Sequence, residues 1–170
     1  AADLNPDALE ATSINASKNG VQEKVVTVAS SWYDGLEESI LRMHGIRQFD
    51  VIIATPPQTP GPGMFGPKYG GPHALDKFMA IIEGIPPFLE PKGGRLWLLA
   101  ITLADTETLL SLLRQKFLDV SIVNEAERVF TYDEYNALEP GLFAYLSTLR
   151  DAGVALFREL GNVTGTFRNL

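Results

Sequence analysis

The stretch Phe49-Asp50-Val51-Ile52-Ile53-Ala54-Thr55-Pro56-Pro57-Gln58 decides how this chain is read. Its first six residues are apolar apart from Asp50, with β-branched Val51, Ile52 and Ile53 in the middle, as in a strand buried within a sheet. The run ends abruptly at Thr55-Pro56-Pro57, because proline has no N–H to continue a ladder. From Thr55 to Pro72 the sequence holds six of the 11 prolines and five of the 15 glycines. That density excludes helix and central strand, so residues 55–72 read as one long Pro/Gly-rich loop within a domain. Loops of that length in compact domains are usually functional or mobile.

Working outward, the same strand–helix alternation recurs. Ala1, Ala2 and Asp3 look like the end of a strand. Asn5 can cap a following helix, Pro6 suits its first position, and Asp7 complements its positive end. Asn19-Gly20 supplies a left-handed stop. Residues 24–30 form a second β-branched run, followed by a loop and short helix through Trp32 and Leu41. Beyond the Pro/Gly loop, Leu75, Phe78, Met79 and Ile82 share one helical face. A strand is expected over 95–101, a helix capped by Asp105 and carrying Leu109, Leu112, Leu113 and Phe117, then a strand over 120–123. Leu142, Tyr145, Leu146, Leu149, Gly153, Leu156, Phe157 and Leu160 keep helical spacing, making 132–160 an extra helical segment that Gly153 could split. A closing strand is expected over 163–167. Alternating strands and helices define an α/β fold, a doubly wound, mostly parallel sheet with right-handed crossovers, occupying residues 1–170 as one domain.

Composition narrows the function classes. The 170 residues carry 45% hydrophobic and 21% charged side chains and a formal charge of −7. An acidic field repels phosphate backbones, which disfavours tight non-specific nucleic-acid binding. There is no cysteine, which excludes disulfides and thiolate chemistry and fits a cytoplasmic, reducing setting. No apolar run reaches the roughly 18 residues of a membrane span. His44 and His73 have no ligand partners at metal-binding spacing, so no metal is expected. Nucleophile-elbow and phosphate-loop motifs are missing.

In an open parallel sheet, ligands collect at the carboxyl ends of the strands. Three such ends carry chemistry: Asp3-Leu4-Asn5, Ser30-Ser31-Trp32 and Thr55-Pro56-Pro57-Gln58. An acidic residue at a strand end can accept hydrogen bonds from vicinal ribose hydroxyls. Equally, Asp3 and Asn5 can serve as helix caps.

Taken together, Asp-x-Asn-Pro before a helix ending Asn-Gly, then an apolar strand, then Phe-Asp-x-Ile-x-x-x-Pro-Pro, resembles the class I S-adenosylmethionine-dependent methyltransferases. The branch it is most similar to includes the release-factor glutamine methyltransferases and the adenine amino-methyltransferases. The resemblance runs in element order from Ala1 to about Val123. It implies a Rossmann-like fold, S-adenosylmethionine as cofactor and methyl transfer to a polar acceptor on a protein or small molecule. On matching positions, it implies that Asp3 holds the cofactor ribose and Leu4 packs on the adenine. Asn5 flanks them, and Ser31 and Trp32 border the adenine. Thr55, Pro56, Pro57 and Gln58 fall where the family presents Asn-Pro-Pro-aromatic to the acceptor, making them the candidate catalytic turn. Positioning is much of such chemistry, since the sulfonium carries the reactive methyl group.

The sequence departs from that pattern in four places. Thr55 replaces Asn, Gln58 replaces the stacking aromatic, Ser31 replaces an adenine-binding Asp, and the Gly-rich loop after the family's first strand is missing. Either the domain is N-terminally incomplete, the favoured reading, or it is a non-catalytic interaction module on a degenerate methyltransferase scaffold. Lys68-Tyr69-Gly70-Gly71 could line an acceptor pocket or be plain surface. The 142–160 segment could pack on its own sheet, cover the acceptor site, or form a homodimer face.

Overall fold

Asn5 and Pro6 start the first helix where the sequence places it. In the computed structural model of the chain, which describes residues 1–31, 33, 36, 41, 43–159 and 166–169, helix α1 spans Pro6–Lys18. The Asn5 side chain accepts from the Asp7 N–H at 2.9 Å, and Gly20 takes φ +66° just past the C-terminal cap. The chain resolves into two compact units, residues 1–50 with 87–95, and residues 51–86 with 96–170.

In the first unit, strand β1 (Ala2–Asp3) pairs in parallel with β2 (Val28–Ala29), Ala2 opposite Val28 and Asp3 opposite Ala29. The ladder is carried by the Val28 N–H on the Ala1 carbonyl at 2.8 Å and the Ser30 N–H on the Asp3 carbonyl at 3.0 Å. Paired strand over 24–30 is thus shorter than its β-branched run predicts, because residues 22–24 are wound into a 3₁₀ turn. Elsewhere in this unit Tyr33 stacks on Phe88 with ring centroids 5.0 Å apart, and Leu41 and Leu89 are buried.

The second unit holds strand β3 (Val51–Ala54) and, from Leu96 on, strand β4 (Arg95–Leu98), paired as a two-stranded sheet. Arg95 N–H bonds the Asp50 carbonyl and Leu99 N–H the Ala54 carbonyl; both partners advance by four residues, as parallel strands do. Helices α2 (Asp76–Gly84) and α3 (Thr106–Lys116) follow the two strands. Their apolar residues Phe78, Ile82 and Leu109 form a core with Ala74, Leu75 and Ala104, against which Leu98 packs. Of the face predicted for α2, Met79 stays partly exposed. Asp105 caps α3 as expected, accepting from the Thr108 N–H at 3.0 Å.

The opposite face of β3 and β4 is open: Val51, Ile53, Trp97 and Leu99 are all exposed, Ile53 by 75%. Both strands are half-buried on one side and exposed on the other, where the continuous apolar runs had implied burial on two. Residues 120–123 join no strand, and Ile122 and Val123 are solvent-exposed.

The expected long helix over 142–160 is replaced by a small mixed layer. Strand β5 (Val129–Thr131) leads into α4 (Tyr132–Asn136), then α5 (Leu142–Asp151), β6 (Phe157–Glu159) and β7 (Thr166–Asn169). The three strands form an antiparallel sheet in the order β5-β7-β6. Gly153, at φ +77°, ends α5, and Leu156 and Phe157 leave helical geometry altogether. Leu160 lies outside the described residues, as do residues 163–165 of the expected closing strand. Leu142, Leu146 and Leu149 are buried with Phe130, Tyr135 and Phe157 in a second core. Of the remaining residues of that apolar face, Tyr145 is partly buried and Leu156 is exposed. The architecture is therefore mixed α/β with small parallel sheets and several helices. Among the described residues no helix is long and apolar enough to cross a membrane.

Candidate functional site

The sequence's candidate residues fall into two groups, one in each unit. In the first unit, Asp3 and Ser31 stand at the carboxyl ends of neighbouring parallel strands, because β1 and β2 are in direct register. Asp3 Oδ1 accepts from the Asn5 N–H at 2.8 Å, so one carboxylate oxygen is committed to the turn that starts α1. Asp3 Oδ2 has no hydrogen-bond partner among the described residues. Asn5 is committed to capping. The capping role thus falls to Asn5, while Asp3 is exposed. Leu4, beside it, is 72% exposed, an apolar side chain standing at the same strand end. Trp32 lies outside the described residues.

In the second unit, the Pro/Gly loop is a closed, ordered structure. Thr59 N–H bonds the Lys68 carbonyl at 3.0 Å, Gly70 N–H bonds the Thr59 carbonyl at 2.9 Å, and Gly61 N–H bonds the Gly71 carbonyl at 3.3 Å. Phe65 meets Tyr69 edge-on, with ring centroids 5.4 Å apart. The ends of the loop are thereby held together, as in a compact Ω-loop. Gly70 is required by close approach: a Cβ there would stand 2.8 Å from both the Gln58 Cα and the Pro57 carbonyl oxygen. Next to it, buried Ala74 adopts φ +58°, a left-handed conformation that costs a non-glycine residue roughly 1–2 kcal/mol. The loop's return into α2 is thus fixed by packing rather than by local preference.

Within the turn, Thr55 is exposed and its hydroxyl has no partner among the described residues, whereas Pro56 is buried. Gln58 is held elsewhere. Its Nε2 donates to the Leu99 carbonyl at 3.1 Å and lies 3.4 Å from the Pro56 carbonyl. Its Oε1 accepts from the Ile101 N–H at 2.6 Å. The Gln58 amide is therefore bonded to the backbone just past β4 and lies against that of Pro56. Lys68 is exposed.

Sequence reasoning missed Tyr145, whose hydroxyl donates to the Pro72 carbonyl at 3.1 Å. Its pKa is raised, first by burial and then by the neighbouring Tyr69 phenol. Thr102 adds a second tether: its Oγ1 donates to the Leu156 carbonyl, and its own carbonyl accepts from the Leu156 N–H, both at 2.6 Å. Phe65 and Ile101 pack on the second core. Residues 129–159 are therefore docked on the Pro/Gly loop and on the chain leaving β4. Among the described residues no group of three or more acidic or histidine side chains could hold a metal ion. No family model, curated protein or solved structure matches the chain.

Proposed function

We propose that this chain is a doubly wound, Rossmann-like methyltransferase domain that moves a methyl group from S-adenosylmethionine to a polar acceptor. The observation that carries the reading is the pairing of β1 and β2. Parallel, in-register pairing puts the free Asp3 oxygen, exposed Leu4 and Ser31 at one strand edge, the arrangement a nucleoside needs: a carboxylate for the ribose diol and an apolar side chain for the base. The Thr55 hydroxyl supplies a hydrogen-bond acceptor at the end of β3, where an acceptor's N–H or O–H could be oriented. The bound cofactor would supply an electrophilic methyl group. The protein's share is to hold the nucleoside at β1 in the first unit and the acceptor at Thr55 in the second, the acceptor's proton leaving to solvent.

One observation favours the competing reading, a non-catalytic interaction module. The Gln58 amide occupies the polar groups nearest Pro56, and an acceptor would have to use the turn beside it. Calorimetry with S-adenosylmethionine and with its demethylated product, on the full-length gene product, separates the two. Binding of both ligands at one site per chain is expected. Absence of heat and of competition with both would leave the interaction module.

A further inference from the structure

The Gln58 contacts have a simple origin in the ladder between β3 and β4. The parallel pattern that links Asp50 to Arg95 and Ala54 to Leu99 repeats every two residues along each strand. Its next rung requires the N–H of residue 56 to donate to the Leu99 carbonyl and the carbonyl of residue 56 to accept from the Ile101 N–H. Residue 56 is proline and has no N–H to give. Gln58 supplies both halves of that missing peptide group from its side chain, Nε2 to the Leu99 carbonyl and Oε1 to the Ile101 N–H. A primary carboxamide has the same donor and acceptor set as a peptide bond, which is why glutamine can do this.

We propose that the notch between the Leu99 carbonyl and the Ile101 N–H is a primary-carboxamide site filled in cis by Gln58, and that Gln58 is the positioning residue of the Thr55–Pro57 turn. By closing the ladder with a side chain, the protein lets the Pro56-Pro57 backbone leave the sheet while its base stays fixed. The Thr55 hydroxyl then stands clear of the ladder at the carboxyl edge, while the Pro56 carbonyl stays against the Gln58 Nε2. The notch is a property of the sheet alone; its role in presenting Thr55 to an acceptor rests on the function proposed above.

The test is amide hydrogen exchange by nuclear magnetic resonance on the 170-residue chain, comparing the native sequence with Gln58→Ala and Gln58→Met. Methionine keeps the length and apolar stem of glutamine, so it carries the test if the alanine variant fails to fold. In both variants the Ile101 amide is expected to lose at least about tenfold in protection, while the Leu109 and Phe117 amides of α3 keep theirs. Added acetamide should restore Ile101 protection in Gln58→Ala, and N,N-dimethylacetamide, which has no N–H, should not. Acetamide should also return the Thr55 amide resonance toward its native position, a change that filling space alone would not produce. Unchanged Ile101 protection in Gln58→Met, or equal rescue by the two amides, would overturn the proposal. Failure of the full-length product to bind S-adenosylmethionine would remove methyl transfer and leave the carboxamide notch standing. An unprotected Ile101 in the native chain would remove the notch whatever the cofactor does.

Discussion

Tyr145 and Pro72, 73 positions apart, are joined by a hydrogen bond of 3.1 Å from the phenol to the prolyl carbonyl. It ties α5 to the last residue of the Pro/Gly loop, at the point where the chain turns into α2. Pro72 itself is exposed, and this bond holds its carbonyl at the point where the loop closes. Tyr145→Phe removes the donor and leaves the ring in place. We expect a loss of about 1 kcal/mol in urea unfolding, together with faster amide exchange at Gly70 and Gly61. If stability falls and both loop amides keep their protection, the phenol does not hold the loop.

Gly70→Ala should be more costly than a surface glycine substitution. The added methyl would be driven into the Gln58 Cα and the Pro57 carbonyl, both backbone atoms at 2.8 Å. Overpacking of that kind costs about 1–3 kcal/mol. Because the displaced atoms belong to the Thr55–Gln58 turn, the Ile101 amide should lose protection as well. A Gly70→Ala chain with native stability and a protected Ile101 would show that the loop can give way there.

Tyr135 predicts the alkaline limb of the stability curve. Burial raises its pKa from 10.0 to about 12, with Arg128 opposing the shift and Glu134 adding to it. Below pH 10 both folded and unfolded chains hold the proton. Between about 10 and 12 only the folded chain does, so stability falls as pH rises through that window. For a residue 3% exposed, a shift of this size is worth roughly 2–3 kcal/mol. Tyr135→Phe should leave stability at pH 7 within about 1 kcal/mol of native and flatten the decline above pH 10. Denaturant titrations at pH 8 and pH 11 would check this, and parallel slopes for both proteins would contradict it.

Asn5→Ala removes the cap of α1, whose side chain accepts from Asp7. A loss of about 1 kcal/mol is expected. Asp3→Ala should cost less stability than Asn5→Ala and more cofactor affinity, since Asp3 keeps a free oxygen. The reverse ranking in paired urea and calorimetric measurements would make Asp3 the structural residue.

What the sequence made legible follows from the range of the forces involved. The start and end of α1, the cap of α3 and the boundary of β3 at Thr55 are set within a few residues by Asn5, Asp105 and Pro56, and each was found where local chemistry placed it. Apolar spacing was less reliable. Leu142 to Phe157 keeps helical period throughout, yet Gly153 ends the helix and Phe157 enters a strand, because the ring packs near Phe130 and Phe143. Residues 120–123 have strand composition and join no strand. The working contacts of the candidate site escaped altogether: Gln58 finds its partners 41 and 43 positions away, and no local pattern encodes that. The one available clue was negative, a proline where a ladder needs an N–H.

The assignment of β1 as the nucleoside edge is tested most directly by irradiating the full-length gene product with radiolabelled S-adenosylmethionine and mapping the labelled tryptic peptides. Label should fall on the peptide ending at Lys18 or on residues 25–42, which contain Leu4 and Ser31, be displaced by excess unlabelled cofactor, and disappear in Asp3→Ala. Competed label confined to residues 129–150, or label that Asp3→Ala leaves intact, would contradict it.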